Sequence, residues 1–272
     1  MRTIVHLSDL HFGRVDQALI VPLKLLVHQL APDVVVVSGD LTQRARGEEF
    51  LAARAFLDSL PKPRLVVPGN HDIPLYNVAG RFFSPLVRYR RYITADLAPE
   101  YVDDEIAVLG INTARSLTFK DGRINRRQIE ALRVRLAELG ERTRIIVTHH
   151  PFDLPETFDK NDLVDRAPLA MSMFSECGVD LLLAGHLHAS HAGNSSARYP
   201  LPGYAALVVQ AGTATSTRGR GEANSFNAIH IGDGRIEVQR YSWSEAGHAF
   251  ALATTESFTR QHDVWTSAAP GI

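Results

Sequence analysis

The chain has 272 residues, of which 45% are hydrophobic and 22% charged, with a formal net charge of -1. That composition excludes wholesale disorder and fibrous repeats, and the length allows a substantial buried core. The near-balanced charge, with no extended run of basic residues, excludes a dedicated binder of long nucleic acid.

The chain opens MRTIVHLSDLH, without a basic segment followed by a long apolar stretch and a small-residue cleavage site. It carries no uncharged apolar run of about 18 residues, so a cytoplasmic protein without a membrane span is expected. Its single cysteine, Cys177, rules out an intrachain disulfide and suits a reducing compartment. Thr3 to Leu7 reads as a buried strand. Leu19, Leu23, Leu26, Val27 and Leu30 then recur with helical spacing, Val34 to Val37 reads as a second strand, and Phe50, Ala53, Phe56, Leu57 and Leu60 mark a second helix before the strand Leu65 to Val67. Arg88, Arg90 and Arg91 stand among Tyr89 and Tyr92 on a further helix, read as a solvated face with half-buried tyrosines. Next come the strand Ile106 to Ile111 and the helix Asn125 to Leu139, whose stripe of Ile129, Leu132, Leu136 and Leu139 places it on the outside of a sheet. Ile145 to Thr148 and Leu181 to Ala184 complete an alternation of strands and helices that predicts an α/β core.

After Gly185 the texture changes. Ala205 to Gln210, Asn227 to Ile231 and Arg235 to Tyr241 read as strands with no helix between them, the last two joined as a hairpin at Gly232-Asp233-Gly234. A second, partly antiparallel sheet beside the first is expected. No linker, composition break or repeat divides the chain, which predicts one domain over residues 1–272. The polar stretch from Thr254 to Ile272 is expected as a loose tail or an oligomer contact.

Five blocks stand directly after predicted strands: Asp9-Leu10-His11, Gly39-Asp40, Gly69-Asn70-His71-Asp72, His149-His150-Pro151 and Gly185-His186-Leu187-His188. Ligands of open α/β sheets bind at the carboxyl ends of strands, so all five can converge. Each block alone reads as a cap, a turn or a satisfied histidine at a strand end. Their coincidence is the signal, since six of the twelve histidines fall in these blocks and an ordinary fold has no need to gather imidazoles there. Carboxylate, imidazole and amide oxygen together suit manganese, iron or zinc without any thiolate.

The ordered set Asp9-x-His11, Gly39-Asp40, Gly69-Asn70-His71-Asp72, His149 and Gly185-His186-x-His188 resembles the calcineurin-like metallophosphoesterase superfamily. Every motif position is present between Asp9 and His188. The whole arrangement further resembles bacterial class III cyclic-nucleotide phosphodiesterases and glycerophosphodiesterases. The resemblance implies a four-layer αββα sandwich of two mixed β-sheets and two divalent metal ions (Mn, Fe or Zn). One metal would be held by Asp9, His11 and His188, the other by Asn70, His149 and His186, with Asp40 bridging them. It also implies hydrolysis of a small phosphate ester, with His71 contacting phosphate and protonating the leaving oxygen while Asp72 orients its imidazole. His150 falls outside the implied ligands, which use the first histidine of the pair.

Within this class a phosphodiesterase acting on a cyclic nucleotide or a glycerophosphodiester is the leading expectation, followed by a phosphomonoesterase. A lipid-precursor pyrophosphatase is a further alternative, whose common bacterial form resembles Gly-Asn-Arg-Asp where this chain has His71. A non-catalytic protein-binding scaffold is the alternative from another class, and the loss of ligands that would mark it is not seen. For contacts to the substrate, Gly212 to Arg220 is a candidate because Arg218 and Arg220 match phosphate geometry. Asn224, Ser225 and Asn227 are candidates for the same rim, and Thr42 and Gln43 lie nearest the expected metals.

Overall fold

The computed structural model describes all residues except 76–77, 117–120, 155–161, 219–220, 233 and 269–272. The first half runs β1 (Arg2–Leu7), α1 (Gln17–Gln29), β2 (Val34–Ser38), α2 (Gly47–Asp58), β3 (Arg64–Val67), a short 3-10 turn at Asn70–Asp72, α3 (Val78–Phe83), α4 (Val87–Tyr92), β4 (Glu100–Val102), β5 (Ile106–Gly110) and α5 (Arg126–Glu138). The second runs β6 (Thr143–Val147), α6 (Ala167–Glu176), β7 (Leu181–Ala184), β8 (His191–Asn194), β9 (Tyr204–Ala205), β10 (Leu207–Gln210), β11 (Ser225–Gly232), β12 (Arg235–Ser244), β13 (Ala249–Gln261) and β14 (Asp263–Ser267).

The strands form two mixed sheets. One has eight strands in the order β3-β2-β1-β11-β12-β13-β14-β9, the other six in the order β4-β5-β6-β7-β10-β8. Strand alternation sorts their side chains into layers. Ile4, Val34, Val36, Val67 and Ile229 of the first sheet meet Val108, Ile145, Val147, Leu183 and Val209 of the second in one buried core. The opposite faces of β1 and β2, with Val5, Leu7, Val35 and Val37, pack under Leu19, Leu23 and Phe50 of α1 and α2. On the far side Ala107, Leu109 and Ile146 pack under Ile129 and Leu136 of α5 and Phe174 of α6. The result is the expected αββα sandwich, and β1 to β3 and β5 to β7 read as continuous apolar runs because both of their faces are covered.

Local chemistry sets the helix boundaries. Asp16 caps α1 by accepting from Ala18 N at 3.0 Å. Asn125 and Gln128 close a reciprocal capping box at the start of α5, with bonds of 2.9 and 3.1 Å. Tyr89 of α4 is fully buried rather than half-buried, its hydroxyl donating to Val66 O at 2.9 Å.

Two readings of the C-terminal half are corrected. The run Ala205 to Gln210 is not one strand: β9 pairs with β14 in the first sheet, whereas β10 lies between β7 and β8 in the second. The stretch from Thr254 is not a loose tail. It continues β13 and forms β14, because Phe258 and Trp265 are buried between the sheets while the intervening polar residues face outward. Residues 269–272 and Asp233 of the hairpin turn lie outside the described residues. Among the described residues no helix is long and apolar enough to cross a membrane.

Candidate metal centre

The five blocks leave the carboxyl ends of β1, β2 and β3 in one sheet and of β6 and β7 in the other, so the site straddles the seam of the sandwich. The segment after β1 lies against that after β2: Asp9 N donates to Gly39 O at 3.2 Å and His11 N to Asp40 O at 2.9 Å. Across the seam, His186 N donates to Asp9 Oδ2 at 3.0 Å.

Asp9, His11, Asp40, His186 and His188 all adopt positive φ, between 48° and 74°. Left-handed backbone at a non-glycine residue costs about 1–3 kcal/mol, and such strain gathers where function demands a particular side-chain direction. Two glycines make the close approach feasible. A Cβ on Gly69 would stand 2.1 Å from Asp40 Oδ1, and one on Gly185 would stand 1.8 Å from Ser8 Oγ.

All seven residues expected as ligands come together. Asp9, His11 and His188 form one group of ligand-type atoms, with His11 Nε2 3.5 Å and His188 Nε2 3.6 Å from Asp9 Oδ1. His149 lies in the second group, its Nε2 3.1 Å from Asn70 Oδ1 and its ring 5.1 Å from that of His186. Asp40 stands between them: Oδ2 is 3.6 Å from His11 Nε2 and Oδ1 is 3.4 Å from His149 Nε2.

The orientation of these rings comes from residues that carry no motif. Ser38 O accepts from His149 Nδ1 at 2.7 Å, and Thr213 Oγ1 lies 2.6 Å from His188 Nδ1, so that in both rings Nε2 faces the cluster. Ser8 Oγ donates to Asp9 Oδ2 at 2.7 Å. Thr213 was expected at the substrate rim and instead buttresses a ligand candidate. Only geometry reveals these roles, since a serine or threonine at a strand end carries no distinguishing sequence signal. His150 is buried with its Nδ1 2.8 Å from Thr113 Oγ1 and its ring 4.6 Å from that of His186, close enough for His149, His150 and His186 to form a third group of ligand-type atoms.

The expectation for Asp72 is corrected. Its carboxylate accepts from Leu41 N (3.2 Å), Thr42 N, Thr42 Oγ1 and Gly69 N (each 2.9 Å), which clamps the Asp40 loop to the Asn70 turn and leaves nothing for the His71 imidazole. His71 is oriented instead by the carbonyl of Gln43, which accepts from Nδ1 at 2.8 Å. Its main-chain N donates to Asp40 Oδ1 at 2.9 Å, and its Nε2 meets Arg218 Nη1 at 2.9 Å. Asn224 and Asn227 bond to main-chain carbonyls and Ser225 to Ser190, supporting the loops rather than lining the site. Gly219 and Arg220 lie outside the described residues.

The electrostatics agree with a site for cations. Burial opposes ionisation of Asp9, but the facing imidazoles of His188, His11 and His149 outweigh it and hold the carboxyl below its usual range. Asp40 is likewise held well below that range by His149, His71 and His11 against the effect of burial. Burial disfavours a charge on His149 too, yet the charge and hydrogen bond of Asp40 push it up to about 9. His186 goes the other way, to about 3, through burial and then the neighbouring charge of His149. Asp9 Oδ1 and both ring nitrogens of His11 are buried without a hydrogen-bond partner. Unpaired buried polar atoms are expensive. A divalent cation fits Asp9 Oδ1 and His11 Nε2, and the N/O donor set suits it.

A family model described as calcineurin-like phosphoesterase matches residues 2–190. The chain is 28% identical over 165 residues to the glycerophosphodiester phosphodiesterase GpdQ of Enterobacter lignolyticus, a match covering 54% of this chain and 56% of the relative. It is 25% identical over 166 residues to the 3',5'-cyclic adenosine monophosphate phosphodiesterase CpdA of Escherichia coli K12, covering 59% and 56%. The chain thus spans little more than half the length of these relatives. Among solved structures, a dimetal phosphatase from Danio rerio superimposes with a TM-score of 0.67 at 14% identity, over 92% of this chain and 98% of that one. PhoD does so with a TM-score of 0.73 at 11% identity, over 100% and 72%. At such identities the likeness is one of fold.

Proposed function

Because this chain belongs to the calcineurin-like phosphoesterase family, we propose that it is a metal-dependent phosphodiesterase acting on a small phosphodiester, either a cyclic nucleotide or a glycerophosphodiester. The observation that carries the reading is Asp40, whose two oxygens face the separate clusters of His11 and His149 at 3.6 and 3.4 Å. Asp9, His11 and His188 would hold one divalent cation and Asn70, His149 and His186 the other, with Asp40 shared. The nitrogen and oxygen donors suit manganese, iron or zinc. Such a pair, when bound, activates water and neutralises the charge that develops on the phosphoryl oxygens.

The chain's own residues do the rest. Ser38 and Thr213 fix which nitrogen of His149 and His188 faces the site, and Asp72 fixes the spacing of the Asp40 and Asn70 loops. His71 donates from Nδ1 to Gln43, which leaves Nε2 as the atom that faces substrate. Burial lowers the proton affinity of this imidazole more than Asp40 raises it, but an adjacent phosphodiester anion favours the charged ring. His71 would then pass the proton at Nε2 to the departing alkoxide oxygen. The names of the relatives support the diester preference. The lone cysteine agrees with a reducing compartment such as the cytoplasm.

The test is a parallel assay of metal-reconstituted protein on bis(p-nitrophenyl) phosphate, p-nitrophenyl phosphate and cyclic AMP. The diesters are expected to be hydrolysed with the higher kcat/KM, and chelation should abolish turnover. A strong preference for the monoester overturns the diesterase reading, and failure on all three overturns the hydrolase reading.

A further inference from the structure

The loop after β10 carries Arg218 to the mouth of the centre, and the loop is built to hold it there. Asp16 N donates to Thr215 O at 2.9 Å and Thr217 N to Arg14 O at 3.0 Å, while Val15 and Ser216 form an antiparallel bridge. From the other side Asn224 Nδ2 donates to the carbonyls of Thr213 and Ser216 at 3.2 and 2.9 Å. The loop is therefore pinned to the segment that directly follows His11.

So placed, Arg218 is half-buried, and its Nη1 lies 2.9 Å from His71 Nε2. The direction of that bond is fixed: His71 Nδ1 already donates to Gln43 O, so in the neutral ring Nε2 accepts and the guanidinium donates. Some partly covered arginines of the fold pair with carboxylates, Arg198 with Asp153 at 2.6 Å and Arg260 with Asp180 at 2.9 Å, and others, such as Arg115 and Arg142, donate to carbonyl or amide oxygens. Arg218 has no carboxylate partner among the described residues and donates to an imidazole instead. A cation held against a cluster that itself suits cations is unfavourable unless an anion enters between them.

We propose that Arg218 is a substrate-binding residue whose guanidinium holds a non-bridging oxygen of the phosphodiester and, on turning to it, gives up His71 Nε2 to the leaving oxygen. The assignment rests on reading the centre as a phosphodiesterase site. A planar guanidinium suits this place better than an ammonium because its fork can hold phosphate oxygens with two donors at once after it leaves the imidazole. Arg218 makes and breaks no covalent bond.

The experiment uses the full chain reconstituted with Mn2+, as wild type, Arg218→Ala and Arg218→Lys. Binding of inorganic phosphate is measured by calorimetry, metal content by elemental analysis, and steady-state turnover on bis(p-nitrophenyl) phosphate. Arg218→Ala is expected to keep its metal, to weaken phosphate binding by roughly 10- to 100-fold, as for loss of a charge-assisted hydrogen bond, and to raise KM. Arg218→Lys is expected to recover part of the affinity. If Arg218→Ala binds phosphate as the wild type does while the wild type cleaves the diester, the assignment of Arg218 falls and the phosphodiesterase reading stands. If the wild type neither binds phosphate nor cleaves the diester, both fall.

Discussion

His71 Nδ1 lies 2.8 Å from the carbonyl oxygen of Gln43, and because a carbonyl only accepts, that nitrogen bears the ring's proton. The imidazole is thus oriented by main chain and lies outside both groups of ligand candidates, so its removal takes no ligand-type atom from either. His71→Ala is expected to retain the metal content of the wild type and to lose about 10²- to 10⁴-fold in kcat, the usual range for a general acid. Asp40→Ala is expected to lose metal as well as turnover. Elemental analysis beside kcat separates the two, and equal metal loss in both variants would contradict this division of roles.

Asp72 gives the opposite expectation from the one its neighbour suggests. Removing its carboxylate leaves the main-chain donors of Leu41, Thr42 and Gly69 buried without an acceptor. Asp72→Ala should therefore lower the unfolding free energy by about 3 kcal/mol, measured by urea denaturation, and weaken metal binding through the slackened Asp40 loop. Unchanged stability with lost turnover would return Asp72 to the role of orienting His71.

The apolar runs of β1, β2, β3, β5, β6 and β7 were legible within about two residues, because burial on both faces keeps their centres apolar, and the residues missed at their ends, Arg2, Ser38, Arg64, Thr143 and Arg144, are polar. The helix Asn125 to Leu139 was legible from its stripe, with Asn125 as the cap. The edge and antiparallel strands β4, β8, β13 and β14 were not. Ala249 to Gln261 mixes alanines, a few large apolar residues and a polar stretch, and its strand state comes from pairing with β12, a long-range fact that leaves little local trace. The candidate ligands were legible as residue types after strands. Their left-handed backbone, the facing of Asp40 toward both clusters, and the supporting Ser38, Thr113 and Thr213 were not, since each depends on a neighbour far away in sequence.

Gly69 and Gly185 provide a test of the centre that alters no ligand. A methyl group at either position must displace Asp40 or the Ser8-Asp9 pair, given the approaches of 2.1 and 1.8 Å. Both atoms belong to the most tightly bonded part of the site, so the expected response is a shifted carboxylate rather than a relaxed loop. Gly69→Ala and Gly185→Ala should each lose metal affinity by at least about tenfold, read by calorimetric titration. Gly247→Ala, where a Cβ makes ordinary contacts of 3.4 Å and longer with Ser244, is the control and should keep the wild-type affinity.

Far from the centre, Asp180 ties the two sheets together: its carboxylate accepts from Arg144 N at 2.9 Å and Trp265 Nε1 at 3.1 Å and pairs with Arg260 at 2.9 Å. Burial raises its proton affinity, and the hydrogen bond from Arg144 and the charge of Arg260 offset that only in part. The folded chain therefore binds this proton more tightly than the unfolded chain. By linkage, the contribution of Asp180 to stability is greatest below the ordinary carboxylate value of about 4 and declines as pH rises through the raised folded value, above which it stays level. Asp180→Asn cannot titrate. The difference in unfolding free energy between wild type and Asp180→Asn, measured in urea across the acid range, should therefore shift in favour of the wild type as pH falls through that window. A difference that moves the other way would mean that Arg260 outweighs burial and holds the carboxylate ionised.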